Sequence, residues 1–281
     1  MIPAAFEFLR PQTIEAALEL LAQHGSDAKV LAGGHSLLPA MKLRLAQPAK
    51  LIDLARIPDL DGIRLEQDRV IIGAMTTHQA IASSALLAGR CPLLPEVARK
   101  VGDVQVRNRG TLGGSLAHAD PAGDWPAAML ALDAEIVVVG RGESRAIPAG
   151  DFFVDLYETA LRPGELIREI SVPVTAATVA YVKSSQRASG FALAGAAVVI
   201  DARQKSVRVG ISGVAAKPFR ATAVEKKLAG KNLTAETIAA AAAGAAKGIE
   251  PLSDMHGSAD YRAHLARVNT ARALANAAKR G

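Results

Sequence analysis

The chain has 281 residues, of which half are hydrophobic and 4% aromatic, and its formal net charge is +6. This length allows one large domain or two ordinary ones with a sizeable core. The basic residues are spread along the chain, which argues against a nucleic-acid-binding protein. No run of 18 uncharged apolar residues occurs, so we expect no membrane span and a cytoplasmic protein.

The chain contains a single cysteine, Cys91, and six histidines. One cysteine cannot form an internal disulfide, and an iron–sulfur cluster usually requires four. We therefore predict that Cys91 is a small buried hydrophobic residue. Because no HExxH or CxxC pattern occurs, no metal site is predicted on this chain.

Helices and strands of mixed order are predicted up to about residue 175. The first helix covers residues 11–21, with Thr13 as its cap and Gly25 after its end. The other helices are predicted at residues 77–87, 93–100 and 126–132. Strands are predicted at residues 29–32, 51–54, 69–74, 134–140 and 166–172.

The pattern changes after about residue 176. Three strands in antiparallel order are predicted at residues 178–183, 192–201 and 206–214. The remainder is rich in alanine and predicts helices at residues 222–228, 235–247 and 260–279. Small residues in such helices are typical of helices that pack closely on a sheet.

Two glycine-rich segments are the most informative feature, residues 32–37 (AGGHSL) and 111–116 (TLGGSL). Glycine permits positive φ angles and close approach of a ligand, and successive backbone N–H groups in a turn can bind an anion. Two facing turns could bind one diphosphate from both sides, which suggests a dinucleotide. The first segment does not have the GxGxxG spacing, and alone it is more typical of an ordinary tight turn.

Polar residues follow the second segment, and each has a structural alternative. His118, Asp120 and Asp124 could bind a polar ligand, or they could form turns that cap the next helix. The charges of residues 104–109 could lie on a solvated strand face or near phosphates. Lys183 could offer positive charge to a reduced flavin or lie on the surface. Phe191 could cover a ring or belong to the core. No spacing suggests a Ser/His/Asp triad or a carboxylate pair.

The two segments together, in this order and spacing, resemble the FAD-binding medium subunits of the molybdenum hydroxylases, the carbon monoxide dehydrogenase and xanthine dehydrogenase family. The resemblance covers essentially the whole chain, from Phe6 and Pro11 to Tyr261 and residues 272–274. It is carried most clearly by residues 31–44, 51–54 and 110–124.

The resemblance implies an α+β fold in two domains. Residues 1–175 would form a two-part FAD-binding domain of the vanillyl-alcohol-oxidase (PCMH) type, with subdomains at about 1–55 and 56–175. Residues 176–281 would form a small α+β C-terminal flavoprotein domain, a three-stranded antiparallel sheet with helices.

The resemblance also implies which residues contact FAD. One side of the diphosphate would be held by Ala32, Gly33, Gly34, His35, Ser36 and Leu37. The other side would be held by Thr111, Gly113, Gly114 and Ser115. The adenine would lie near Val101 and Gly102, and the flavin ring near Leu166, Ile167 and Lys183. Asp124 would bond the ribityl chain, and further contacts would come from Leu31, Gly110, Ala117, Asp120 and Phe191.

The implied function is that of an electron-transfer subunit with non-covalently bound FAD. Substrate oxidation would occur at a molybdenum cofactor in a large partner subunit, and two [2Fe–2S] clusters in a small partner would carry electrons to this chain. The FAD would pass them to an external acceptor, with Lys183 stabilising negative charge on the reduced ring. The assembly is expected to be a dimer of heterotrimers.

The sequence departs from the family pattern at one position and lacks one insert found in a branch of the family, and two other functions are alternatives to the one implied. Gly190 stands where the family often carries an acid, and the single cysteine excludes the cysteine-rich insert of the benzoyl-CoA-reductase-like branch. One alternative is a free-standing FAD-dependent oxidoreductase of the same fold, in which His35 could attach the flavin covalently. The other is a binding module that has lost its flavin, against which the intact glycines argue.

Overall fold

The strands and helices of a computed structural model, which describes residues 1–280, define the fold. In chain order the strands are β1 (Glu7–Leu9), β2 (Ala28–Leu31), β3 (Lys50–Asp53), β4 (Ile63–Glu66), β5 (Arg69–Gly73), β6 (Glu135–Gly140), β7 (Glu143–Pro148), β8 (Phe153–Asp155), β9 (Glu158–Thr159), β10 (Leu166–Pro173), β11 (Thr178–Ser185), β12 (Ala192–Asp201), β13 (Ser206–Ser212) and β14 (Phe219–Arg220).

The helices follow the same numbering, and short 3-10 turns at Gly25–Asp27, Leu54–Arg56 and Pro58–Leu60 supplement them. In chain order they are α1 (Ile14–His24), α2 (Leu37–Lys42), α3 (His78–Ser83), α4 (Ala85–Arg90), α5 (Leu93–Ala98), α6 (Val104–Arg109), α7 (Leu112–His118), α8 (Trp125–Ala131), α9 (Ala149–Phe152), α10 (Thr222–Leu228), α11 (Ala235–Ala242) and α12 (Ala259–Ala278).

Three sheets and the β8–β9 hairpin arise within residues 1–280. The first sheet is parallel, in the order β1-β3-β2, and α1 packs on it. The second is antiparallel, in the order β4-β5-β10-β6-β7. The third is the antiparallel sheet β11-β12-β13-β14. The combination of helices and mostly antiparallel sheets agrees with the predicted α+β class.

The central apolar core joins the second sheet to the helices α3, α4, α5, α7, α8 and α9 and to the third sheet. Its largest fully buried side chains include Trp125, Phe152 and Tyr181. Cys91 is fully buried in the same core, and burial raises the pKa of its thiol to about 12. The prediction that Cys91 is a small buried hydrophobic residue is therefore confirmed.

Small residues allow helices to pack on both faces of the third sheet. The middle of β12 is alanine-rich and buried, with α12 on one side and α8 on the other. A side chain at Gly210 in β13 would collide with the backbone of Ala127 in α8. Close packing on a sheet, predicted for the alanine-rich helices, is confirmed for α12, whose Ala266, Ala273 and Ala277 are buried, but not for α11, which packs mainly against α10 and α12.

Several predicted elements are confirmed, and some need correction. The structure confirms the Thr13 cap, Gly25 at the end of α1 with φ of +49°, and β12 at residues 192–201. The helix predicted at residues 77–87 is instead two helices, because Ser84 accepts a hydrogen bond from the Leu87 N–H and starts a new helix. The third sheet has four strands rather than three, because β14 pairs with β13.

Residues 104–109 form a helix, which corrects the strand considered for them. Asp103 caps this helix α6 by accepting a hydrogen bond from the Val106 N–H at 2.8 Å. The Arg107 guanidinium then bonds the carbonyl oxygens of Val101 and Gly102, at 3.1 and 3.2 Å. Arg107 therefore fixes the preceding loop.

Candidate functional site

The first glycine-rich segment connects β2 to α2 and presents unused backbone donors. Among residues 1–280, no acceptor bonds the backbone N–H groups of residues 33–37. Gly34 has φ of +80°, a conformation that favours glycine. The Leu38 N–H bonds the Gly34 carbonyl, so the segment turns directly into α2. Five successive free N–H groups next to a helix start are suited to binding an anion.

The second glycine-rich segment begins a helix, which corrects the predicted turn. Thr111 caps α7, and its hydroxyl accepts a hydrogen bond from the Gly114 N–H at 3.1 Å. The Gly113 N–H bonds the Ala74 carbonyl at 2.8 Å, and the Ser115 N–H bonds the Thr111 carbonyl at 3.0 Å. These amides already have acceptors within the protein, so they offer no free donors to a ligand. The segment would mainly determine the shape of a binding site.

Glycine brings the two segments into direct contact. A Cβ at Gly33 would overlap the carbonyl oxygen of Arg109 and lie 2.6 Å from the Cα of Gly110. A Cβ at Gly114 would lie 3.1 Å from the Cβ of Ala32. We call residues 31–37 and 110–115 the glycine cradle. The structure thus brings together the predicted residues of the two segments, which are 79 positions apart from Leu31 to Gly110.

A buried histidine, His78, borders the glycine cradle and was not predicted. The residue is 4% exposed, and its Nδ1 accepts a hydrogen bond from the Trp125 indole N–H at 3.2 Å. A Cβ at Gly110 would lie 2.8 Å from its Nε2. Burial, together with the charges of His35 and Arg107, lowers the pKa of His78 to about 4, so the ring is neutral at pH 7.

A second group of polar side chains lies where the β11 strand meets the start of α8. We call Asp124, Tyr181 and Lys183 the Asp124 cluster. The Tyr181 hydroxyl donates to Asp124 at 2.6 Å, and the Lys183 Nζ lies 2.9 Å from the nearer Asp124 oxygen. Asp124 occupies the cap position of α8, yet its side chain makes no capping bond. The predicted alternative of a simple helix cap is therefore wrong.

Burial dominates the electrostatics of this cluster. It raises the pKa of Asp124, while the Lys183 ammonium and the Tyr181 hydroxyl oppose that rise. Burial and the neighbouring Asp124 charge raise the pKa of Tyr181 well above its usual value. The Tyr181 hydroxyl therefore remains protonated and acts as a donor.

Lys183 is a buried structural contact rather than a surface lysine. Besides Asp124, its Nζ donates to the carbonyl oxygens of Lys100 at 2.6 Å and Gly190 at 2.7 Å. These three acceptors match the three donors of an ammonium group. The interaction ties β11 to the loop that contains Val101 and Gly102, where Gly102 also approaches Gly190.

The remaining predicted site residues lie in varied surroundings. Leu166 and Ile167 are buried at the start of β10, in two different apolar cores. Phe191 is half-buried, with its ring centroid 5.1 Å from that of His256. Asp120 accepts a hydrogen bond from the Ala122 N–H at 2.8 Å, and Ala117 is exposed on α7. The roles predicted for these residues toward a ligand stay predictions.

Sequence reasoning missed two polar residues that the fold places at the site, His78 and Tyr181. His78 directly follows the Thr77 cap of α3, and this pattern signals only a helix start. Tyr181 and Lys183 are two positions apart on β11, so their side chains lie on the same face of the strand, and both reach Asp124. The only available signal for Tyr181 was this proximity to Lys183 in the sequence.

Comparison with known proteins connects this site to a family. Residues 4–175 match the family described as the FAD binding domain in molybdopterin dehydrogenase. Residues 179–277 match the CO dehydrogenase flavoprotein C-terminal domain. No helix within residues 1–280 combines the length and apolar character needed to cross a membrane.

Individual relatives match along nearly their whole length. The carbon monoxide dehydrogenase medium chain of Hydrogenophaga pseudoflava is 45% identical, over 98% of this chain and 97% of that one. A subunit of the 6-hydroxypseudooxynicotine dehydrogenase complex of Paenarthrobacter nicotinovorans is 38% identical, over 100% and 97%. A structure of the Hydrogenophaga carbon monoxide dehydrogenase matches with a TM-score of 0.95 and 46% identity, covering 100% and 99% of the two chains. The chain therefore belongs to the FAD-binding medium subunits of the molybdenum hydroxylases, as its sequence motifs predicted.

Proposed function

We propose that this chain receives electrons from two [2Fe–2S] clusters of a small partner subunit and passes them, through non-covalently bound FAD, to an external acceptor. A large partner subunit would hold the molybdenum cofactor at which substrate is oxidised, and the complex would be a cytoplasmic dimer of heterotrimers. The binding of FAD follows from the family, whereas the partners, the direction of electron flow and the residues that contact FAD are our proposal.

The observation that carries the proposal is the row of five free N–H groups at residues 33–37. Backbone donors at the start of a helix lack a protein acceptor and bond water or a ligand instead. A diphosphate offers several charged oxygens, which accept hydrogen bonds more strongly than neutral acceptors. The residues present therefore fit the diphosphate of FAD.

Other residues of the chain would orient FAD around this anchor. When bound, FAD supplies the redox chemistry, because its ring system takes up and releases electrons. Asp124 keeps a carboxylate oriented by Tyr181 and Lys183, with which it could bond a ribityl hydroxyl. Since the Lys183 donors already have acceptors, Lys183 would act on the ring through its charge and through Asp124.

The relatives support a function within a complex. The Hydrogenophaga relative is named a medium chain, and the Paenarthrobacter relative is named a complex subunit. The matched Hydrogenophaga structure is described as lacking the Mo-pyranopterin part of a molybdenum cofactor. With one cysteine, the present chain does not have the usual ligands of an iron–sulfur cluster, which supports placing the clusters on a partner.

Native purification tests this proposal. The chain would be isolated from its host under gentle conditions, and the eluate assayed for flavin, iron, molybdenum and co-eluting chains. We expect one flavin, four irons and one molybdenum for each set of three different chains. Flavin on this chain alone, without iron or molybdenum, would contradict the proposal and indicate a free-standing flavoenzyme. Acid precipitation of the same sample should release the flavin, because we propose no covalent bond to His35.

A further inference from the structure

The two ring nitrogens of His78 have different surroundings. Nδ1 accepts the hydrogen bond from the Trp125 indole. An indole N–H can only donate, so this bond requires Nδ1 to be unprotonated. A neutral imidazole with an unprotonated Nδ1 carries its proton on Nε2. His78 is therefore held as a neutral donor whose N–H group is at Nε2.

The Nε2–H group has no acceptor among residues 1–280, although His78 is 4% exposed. Nε2 is not among the fully enclosed polar atoms that lack a partner in this part of the chain, so it retains some contact with solvent. Water can accept this hydrogen bond in the flavin-free chain, and a bound ligand with a charged oxygen would replace it with a stronger one.

The position of Nε2 indicates which kind of acceptor would bind it. It lies against Gly110, the residue that Gly33 also approaches closely. The charges of His35 and Arg107 also act on the His78 ring. The surroundings thus combine free amide donors with positive charge, which favours an anionic oxygen over a neutral or cationic group.

We infer that the Nε2–H group of His78 donates a hydrogen bond to a diphosphate oxygen of bound FAD, with Trp125 as the residue that fixes the donor. This inference rests on the proposed location of the diphosphate in the glycine cradle. His78 would add a side-chain donor to a site otherwise built from backbone amides. Trp125 would act through His78 and would not contact the ligand.

Two amide variants separate the two functions of the ring. In H78N, the side-chain oxygen can take the place of Nδ1 and accept from Trp125, while the Nε2 donor is lost. In H78Q, the longer side chain can place an N–H donor near the former Nε2, while the Trp125 indole loses its acceptor. Both residues are uncharged at all relevant pH values, so neither changes the net charge.

The full chain, freed of flavin, would be titrated with FAD by following flavin fluorescence, and its thermal unfolding would be recorded without ligand. A hydrogen bond to a charged group corresponds to a change in affinity of about 10- to 100-fold. We expect H78N to bind FAD that much more weakly while its melting temperature changes little. We expect H78Q to bind FAD nearly as well as wild type despite a lower melting temperature.

Phosphorus NMR identifies the acceptor. Bound FAD gives separate signals for its two phosphates, and H78N should shift one of them while H78Q leaves it near its wild-type position. Unchanged affinity and unchanged phosphate signals in H78N would overturn the inference. The inference would also be overturned if H78N and H78Q lost FAD affinity only in proportion to their loss of thermal stability.

The same titration distinguishes this inference from the proposed location of the diphosphate. If Gly34→Val retains wild-type FAD affinity, the diphosphate is not bound at residues 33–37, and the proposed location fails. If Gly34→Val loses FAD while H78N does not, the location stands and the role of His78 fails.

Discussion

The glycine cradle and the Asp124 cluster are two polar regions of one FAD-binding chain, and they are built in opposite ways. The cradle consists largely of backbone, and it leaves five N–H groups without acceptors among residues 1–280. The cluster consists of buried side chains, and its carboxylate and ammonium groups satisfy each other and nearby carbonyls. The cradle therefore leaves its donors available to water or a ligand, whereas the cluster already stabilises the fold without one.

Removing one charge of the Asp124 cluster should have the largest effect on stability. Lys183→Met leaves the buried Asp124 carboxylate without its ammonium partner, and breaking such a pair costs about 3–5 kcal/mol. Urea unfolding of the flavin-free chain should show this loss in the free energy of unfolding. A loss below about 1 kcal/mol would mean that the cluster is not a main support of the fold.

The double variant Asp124→Asn/Lys183→Met is the control for this prediction. It removes both charges and retains an oxygen that can accept from Tyr181. Its loss in the free energy of unfolding should be clearly smaller than the sum of the losses of the two single variants, since neither charge remains unpaired. Additive costs would contradict the direct pairing of Asp124 with Lys183.

The buried histidine beside the cradle predicts a pH dependence of stability. The pKa of His78 is about 4 in the folded chain and about 6.5 in the unfolded chain. Between these values the unfolded chain binds the extra proton, so the stabilisation is present above pH 6.5 and lost as pH falls toward 4. The free energy of unfolding should decrease by about 1.4 kcal/mol per pH unit, or about 3 kcal/mol in total.

Urea unfolding at several pH values measures this slope. The comparison of wild type with H78N isolates the contribution of His78, because asparagine does not titrate. H78N should be less sensitive to acid over this range by that amount. Equal slopes for the two proteins would show that His78 is not held neutral by burial.

A side chain at Gly33, where the two segments of the glycine cradle meet, should reduce FAD binding more than it reduces stability. Gly33→Ala forces the backbone of residues 109–110 away, since the new Cβ would overlap the Arg109 carbonyl oxygen. Such overpacking costs about 1–3 kcal/mol of stability. The displacement should also misalign the free N–H groups, so we expect the purified variant to contain little FAD.

Gly89→Ala is the matched control for Gly33→Ala. Gly89 lies in α4, and a Cβ there would meet no atom within 4 Å. Alanine favours helix over glycine by about 1 kcal/mol, so this variant should be as stable as wild type or slightly more stable. It should also retain its flavin. A Gly33→Ala chain with full flavin content would contradict the cradle as the binding site.

The sequence predicts elements well where the determinants are local. The span of β12 is predicted residue for residue, because an apolar run lies between a glycine-containing loop and the polar residues after Asp201. The cap of α1 is predicted by Thr13 and the apolar spacing that follows it. In both cases the signal lies within a few residues of the element.

The sequence predicts the second glycine-rich segment as a turn because glycine permits positive φ angles and close approach of a ligand. Tertiary packing overrides this prediction, since Gly113 must lie close to Ala74 and a Cβ there would be 2.5 Å from the alanine side chain. The Thr111 cap and the buried Leu112 and Leu116 then start α7. A single sequence does not reveal that Ala74, 39 positions away, requires this close approach.

The motif residues of the site could be predicted, whereas their side-chain partners could not. The two glycine segments are recognisable as motifs and lie together in the structure. The bonds that hold Asp124 join it to residues 57 and 59 positions later in the sequence. His78 acquires its single free donor only from contact with Trp125, 47 positions away. Such partners depend on the tertiary fold.

Hydrogen exchange of the backbone N–H groups at residues 33–37, measured with and without FAD, tests the central claim most directly. These groups have no acceptor in the flavin-free chain, so they should exchange rapidly there and slow markedly when FAD binds. The N–H groups of Gly113 and Ser115, which are already bonded within the protein, should change much less. Tight FAD binding with unchanged exchange at residues 33–37 would contradict the claim that the glycine cradle binds the diphosphate.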